Sequence, residues 1–263
     1  MYACHGVAAV GPFFVRFSWR VVALAAVLYV VRMIALSAGY HRYFAHRSYK
    51  TSRPFQLVLA FIGGTCTQRG ALWWAANHRH HHAHSDREAD VHSPVQRGFF
   101  WSHLGWILSK RFERSRHERI RDFAAFPELR WLDQHHFVPS LALAFALWAL
   151  GGWPAVVWGS FLSSVVLWHC TFCINSVAHR FGSRRYATAD ESRNNPLLAL
   201  VTMGEGWHNN HHHCRWSAAL GFYWWELDCT YYALRALAAV GLIWDLRTPP
   251  RLVRDDWRPG ARP

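Results

Sequence analysis

Long apolar runs alternate with strongly polar ones along this chain. A helix that crosses a bilayer needs about 20 apolar residues. Residues 21–40 meet that, interrupted only by Arg32, and predict a span over 19–40. Residues 155–174 meet it with no charge and predict a span over 154–176. Residues 137–152 are apolar but short, so a crossing there needs tilt or a thinned bilayer. A weaker first span is expected over 3–17, broken by Pro12 and Arg16. Residues 55–67 are too few to cross and predict a re-entrant or cap-packed helix.

Charge orients these spans. Segment 41–136 is rich in Arg and is expected on the cytoplasmic side. The uncharged turn Gly151-Gly152-Trp153-Pro154 is expected outside. Arg247, Arg251, Arg254, Arg258 and Arg262 keep the tail inside, which makes 229–244 an interfacial helix rather than a fifth span. The expected architecture is an all-α integral membrane protein, one domain over 1–263. Two hairpins, four transmembrane helices in all, carry a helical cytoplasmic cap built from 41–136 and 177–263. A multi-pass protein of the cell's inner (cytoplasmic) membrane follows. No internal repeat or low-complexity segment is present.

Composition agrees. Hydrophobic residues are 52% of the 263, yet mean hydropathy is only −0.05, as when short spans carry a large polar cap. Lys and Arg outnumber Asp and Glu by 29 to 16, which favours anionic partners such as lipid headgroups or phosphate. Sixteen Trp and nine Tyr suit a membrane interface. No nucleic-acid motif accompanies the basic charge, and no nucleic-acid partner is expected. The six cysteines form no framework; Cys170 and Cys173 make a C-x-x-C inside an apolar run, which reads as packing. The N-terminal stretch lacks the basic region and cleavage site of a secretory leader.

Nineteen histidines change the picture. Four groups stand out: His41-x₄-His46, His78-x-x-His81-His82, Asn175-Ser-Val-Ala-His179 and His208-x-x-His211-His212. Positions i, i+3 and i+4 share one helix face, so three imidazoles in the second and fourth groups can converge. His41 and His46 stand about 140° apart on an ideal helix, so that helix must end or bend between them. Neutral imidazole binds iron, zinc, copper or nickel. Nine such residues exceed the needs of one ion and imply two. A lone histidine pair is ordinarily solvated surface; the repeated pattern is not. The other ten histidines (5, 80, 84, 92, 103, 117, 135, 136, 169 and 213) read as surface or supporting residues.

In this order, with these intervening spans, the four groups resemble those of the membrane-bound stearoyl-CoA-type fatty acid desaturases. Gly39-Tyr-His-Arg, His46-Arg-Ser-Tyr-Lys50, Arg97-Gly-Phe-Phe, Ser102-His-Leu-Gly-Trp106 and Gly204-Glu-Gly-Trp-His-Asn-Asn agree as well. The likeness runs from about His5 to Leu246. Ala71-Leu-Trp-Trp and Gly221-Phe-Tyr-Trp-Trp-Glu look like the bacterial branch.

The resemblance implies two iron ions that activate O2 and a cis double bond placed in an acyl chain, usually at carbons 9 and 10. By motif the ligands would be His41, His46, His78, His81, His82, His179, His208, His211 and His212, with Asn175 acting through water. It assigns no separate acid or base. Gln68, Trp74 and Thr171 would line the bend of a substrate tunnel. Tyr29 and Met33 would close it, Met33 lying roughly 12 Å before His41 along the helix. That length predicts a preference for sixteen-carbon chains. Lys110 and Arg111 match basic residues that meet coenzyme A phosphates. Ala76 and Asn77 depart from the Arg and Asp of animal enzymes, so acyl-CoA, acyl carrier protein and phospholipid all stay open as carriers. Electrons would come from a separate ferredoxin-type protein and its reductase. Zinc can replace iron in purified protein, since imidazole accepts both. Two rivals stand beside this reading: a membrane di-iron hydroxylase of lipids or alkanes, and a histidine-rich metal transporter. The second would need ionisable residues at mid-membrane, which 137–152 and 154–176 scarcely offer. Arg32 would either snorkel or pair with Glu226 or Asp228.

Overall fold

The computed structural model describes residues 1–257; Arg258 and Arg262 of the basic tail lie outside them. Helices dominate, and the sole sheet among the described residues is two-stranded. Helix α1 covers Tyr2–Val10 and ends in a 3-10 turn over Gly11–Phe13. Ser18 then caps the next helix, its Oγ accepting from the Val21 amide at 3.4 Å. That helix, α2, runs over Trp19–Ala45. In the cap, α3 covers Arg53–Gly64 and α4 Ala71–His84. The long element α5 covers Val138–Ser176. Beyond it, α6 is His208–His213 and α7 is Cys229–Ala239.

Two helices, α2 and α5, are long and apolar enough to cross a membrane. α5 is not one rod. Gly152 sits at φ 61°, ψ −160°, a conformation close to glycine-only, and breaks it at the expected turn. Past that point the chain doubles back. A Cβ on Gly159 would stand 3.1 Å from Leu147 Cδ1, although twelve residues of straight helix would part them by roughly 18 Å. Leu24 and Leu28 of α2 pack into the same cluster. The first expected span is shorter than the others. α1 rises roughly 14 Å, about half a hydrocarbon core, running antiparallel to the second arm of α5 with Gly11 beside Val157 and His5 beside His169.

The core joins membrane base to cap. Met33, Leu36 and Phe44 of α2 pack in one cluster with Leu72 of α4, Leu129 and Leu234. Gly63 of α3 lies so close under the Tyr40 ring that any side chain there would collide with it. Lys50 and Thr51 pair antiparallel with Trp244 and Ile243, tying the end of α2 to the chain's last third. The helix expected over 229–244 therefore stops at Ala239, and its last residues form a strand instead.

Arg32 corrects an expectation. It neither snorkels nor meets Glu226 or Asp228. It is 2% exposed and donates to Ser163 Oγ at 2.8 Å, Ser164 Oγ at 2.6 Å and the Thr65 carbonyl at 2.6 Å. Asp228 instead holds Arg42, at 2.9 and 3.0 Å, and Glu226 holds Arg185. Both acids are engaged by these other arginines, and Arg32 is met instead by serines of α5 and the Thr65 carbonyl.

Candidate metal centre

The end of α2 carries the first pair of histidines. Leu36–Ala45 is wound as a π-helix, whose amides reach back five residues rather than four. The His46 amide bonds to the His41 carbonyl at 3.2 Å. Wider winding brings residue i+5 over residue i, so the two imidazoles share a side, with His46 capping the helix just past its last residue. Their ring centroids are 4.9 Å apart. The Ala38 carbonyl, within this wide turn, accepts from the Tyr49 hydroxyl at 2.8 Å.

On α4 and α6 the i, i+3, i+4 spacing presents three imidazoles each. Two groups result. His41, His46, His78, His82 and His211 bring one ring nitrogen each within 4.8 Å of one another; so do His81, His179, His208 and His212. Within the first group Nε2 pairs stand at 3.0 Å (His41–His211), 2.9 Å (His46–His78), 3.0 Å (His78–His82) and 2.9 Å (His82–His211). Within the second, His179 and His208 are 3.0 Å apart. His80 and His213 turn away, to the carbonyls of Ala89 and Val253.

Carboxylates explain which nitrogen faces inward. His81 Nδ1 donates to Asp90 at 3.0 Å, His179 Nδ1 to Asp86 at 2.8 Å and His212 Nδ1 to Asp190 at 2.6 Å, and His41 Nδ1 lies 2.5 Å from a Glu205 carboxylate oxygen. A proton on Nδ1 leaves the Nε2 lone pair bare. Four inward lone pairs are thus set by four acids. His81 Nε2 and His212 Nε2 are buried without a protein partner. Bare lone pairs that converge repel unless a cation lies between them, so this donor set fits metal ions.

Burial pushes His46, His78, His82, His208 and His211 well below the usual histidine range, and neighbouring imidazoles push them further. Burial also takes His212 down to about 4 despite Asp190. His81 is the exception: burial lowers it, but Asp90 and other acids outweigh burial and raise it. Burial would raise Asp86 and Glu205, yet His179 and His41 respectively, with hydrogen bonds, hold both at about 2. For the six lowered imidazoles the neutral, lone-pair-bearing form that metal needs is thereby favoured at neutral pH.

Two cavities border the histidines. One cavity is lined by Gln68, Arg69, Trp73 and Trp74, the other by Met33, Leu36, Ile174 and Glu205; Trp74, His78, Thr171 and Asn175 line both. Gln68 donates to Thr171 Oγ1 at 2.8 Å and accepts from Trp74 Nε1 at 3.3 Å, so the three expected bend residues form one bonded set. Met33, which lines the second cavity, is fully buried. Tyr29 does not line that cavity; its hydroxyl donates to the Val201 carbonyl at 2.5 Å. Lys110 and Arg111 are exposed on a turn next to Phe112, whose carbonyl accepts from Trp73 Nε1 at 2.6 Å. Ala76 is buried and lines neither cavity. The four carboxylates and Arg69 were not expected. The acids share no spacing with the histidines, though each of the aspartates lies in a polar loop and Glu205 stands three residues before His208.

Known proteins resemble this chain over most of its length. The family model described as fatty acid desaturase matches residues 17–245. An sn-2 palmitoyl-lipid 9-desaturase of Nostoc sp. (strain 36) is 38% identical over 244 residues, 90% of this chain and 85% of the relative. An icosanoyl-CoA 5-desaturase of Limnanthes douglasii is 37% identical over 251 residues, 93% of this chain and 70% of the relative. An sn-1 stearoyl-lipid 9-desaturase of Anabaena variabilis is 38% identical, covering 86% of this chain and 84% of the relative.

Proposed function

The chain belongs to the fatty acid desaturase family, and from that premise we propose that it places a cis double bond at carbons 9 and 10 of a saturated acyl-CoA. The observation that carries this reading is the meeting of two histidine groups with one apolar path. Two hydrogens leave the chain. Two electrons and two protons from outside complete the reduction of O2 to two waters. A transporter would not need cavities lined by tryptophan and aliphatic side chains at its metal centre.

His41, His46, His78, His82 and His211 would hold one iron, and His81, His179, His208 and His212 the other, with Asn175 approaching through water. The irons would supply oxygen activation, which no side chain can. The protein supplies the rest. Glu205, Asp90, Asp86 and Asp190 keep the inward nitrogens deprotonated. Gln68, Trp74 and Thr171 bend the path at the histidines, so one pair of carbons is presented. Met33 closes the path in this reading, and the buried walls exclude water.

The acyl carrier and bond position belong to this proposal, since the relatives' own names divide between CoA and lipid and between carbons 5 and 9. Exposed Lys110 and Arg111 beside the cavity wall favour a phosphate-bearing carrier. We read the membrane base as four crossings in two hairpins. Supporting this are the fold-back at Gly152 and the exposed apolar side chains Phe13, Phe14 and Phe145. The histidine face is cytoplasmic on the arginine count, and an acidic, ferredoxin-type donor suits that basic side. We read the membrane as a cell's inner membrane, as the resemblance to the bacterial branch implies.

The test is product analysis. Expressed with a suitable reductase, the chain should yield new monounsaturated acids by gas chromatography, and His81→Ala should abolish them. Hydroxylated products in their place would overturn the reading in favour of a hydroxylase.

A further inference from the structure

Outside the metal centre three more imidazoles stand in a row. His5 of α1, His169 of α5 and His103 of the cap are all partly buried. His5 Nε2 lies 3.1 Å from His169 Nε2, and His169 Nδ1 lies 2.9 Å from His103 Nε2. The row ends on a carbonyl at each side. His5 Nδ1 is 3.1 Å from the Met1 carbonyl. His103 Nδ1 is 3.0 Å from Ser176 Oγ, which is itself 3.0 Å from the Phe172 carbonyl. Protons decide what this row can hold. Five polar contacts link Met1 to Phe172. Three neutral imidazoles and one hydroxyl bring only four protons to them. One contact must go without a hydrogen.

The two end carbonyls only accept. The Met1 carbonyl therefore draws the proton of His5 onto Nδ1 and leaves its Nε2 bare. A serine within a helix donates readily to the carbonyl four residues back, here Phe172. Its oxygen then accepts from His103 Nδ1, His103 Nε2 accepts from His169 Nδ1, and His169 Nε2 is bare as well. The missing hydrogen falls between two Nε2 lone pairs. At 3.1 Å these stand much as the Nε2 pairs of the metal centre do, at 2.9 to 3.0 Å. The tautomers match too, with Nδ1 donating outward and Nε2 facing its partner. We infer that His5 Nε2 and His169 Nε2 form a further metal site, for a divalent first-row cation of the kind imidazole binds, such as zinc or nickel. With metal–nitrogen bonds of about 2.0–2.1 Å, a 3.1 Å pair subtends roughly 100° at the ion and leaves positions for water or an anion. His103 is not a ligand but orients His169 through the other nitrogen of its ring. The ion would tie α1, too short to cross a bilayer unaided, to the second arm of α5. None of this rests on the desaturation reading.

The test uses the full chain, purified without a histidine tag, with its resident metal, in lipid nanodiscs. Equilibrium dialysis against zinc, followed by metal analysis, should show His5→Ala binding one zinc fewer per chain than the unmodified protein, with resident metal unchanged. His169→Ala should lose the same ion. His103→Ala should weaken its binding about 10–100-fold, the scale of losing the partner that orients a ligand. Equal zinc in the unmodified protein and His5→Ala overturns the inference and leaves the gap to a fifth proton. Loss of resident metal with His5→Ala overturns it too, since the row would then belong to the metal centre. Should His169→Ala fail to fold, His5→Ala decides alone, because it lies on a short helix at the edge of the fold. Absence of iron from the resident metal would count against the desaturase reading and leave this comparison unaffected.

Discussion

The amide of His46 is bonded to the carbonyl of His41. One wide turn therefore does what an ordinary helix cannot, and puts both rings against His78 and His211. Deleting Ala45 should restore the tighter winding and swing His46 by about 100°. Iron per chain is then expected to fall from two toward one. Metal analysis of purified protein checks this, and two irons retained would show that the wide turn is not needed.

Asp190 fixes the proton of His212 and accepts from Ser192 as well. Asp190→Asn keeps the shape but can no longer act as a pure acceptor. Affinity at the four-histidine group should weaken about 10–100-fold, and the five-histidine group should be little changed. A chelator titration resolving two classes of iron measures both.

Acidity should destabilise the metal-free protein in the histidine range. Unfolded histidines titrate near 6.5, whereas His46, His78, His82, His208 and His211 lie well below and His212 near 4. Below pH 6.5 the unfolded chain therefore binds more protons, so stability is full above that pH and is lost as pH falls. Asp86 and Glu205, both at about 2, add a loss from about pH 4 downward. His81 is raised and works the opposite way, losing its contribution as pH rises, but it is one against several. The thermal midpoint should drop steeply between pH 7 and pH 5. A flat profile there would mean these imidazoles are not buried neutral.

Met33 is fully buried and lines the cavity that His41 also lines. Met33→Ala should lengthen the path and move product from sixteen-carbon toward eighteen-carbon chains. Comparing palmitoyl and stearoyl products of the two proteins checks it, and an unchanged ratio would remove Met33 from chain-length control.

Much of this site could be read from the sequence because it is local. His78, His81 and His82 need only a helix to share a face, and the same holds for His208, His211 and His212. The turn at Gly152 was legible because Gly and Pro there interrupt an uncharged apolar run. What escaped was whatever depends on distance along the chain. Asp86 and His179 are 93 residues apart, and His41 and Glu205 have no common period. The π-turn escaped for another reason. Leu36–Ala45 contains no residue that forbids ordinary winding, and it is the surrounding anchors, such as Arg42 on Asp228 and Tyr49 on Ala38, that accompany the wider one.

Arg32 has a consequence for biogenesis. Inserting an arginine at mid-helix costs about 2.5–3.5 kcal/mol at the translocon, and no carboxylate offsets it here. Three of the acceptors that satisfy it, Gly159, Ser163 and Ser164, are synthesised 127 to 132 residues later. On the reading of α2 and α5 as crossing helices, α2 must wait beside the translocon, or sit poorly in lipid, until α5 emerges. The membrane base is completed in reverse, the early helix settling only when the late one arrives.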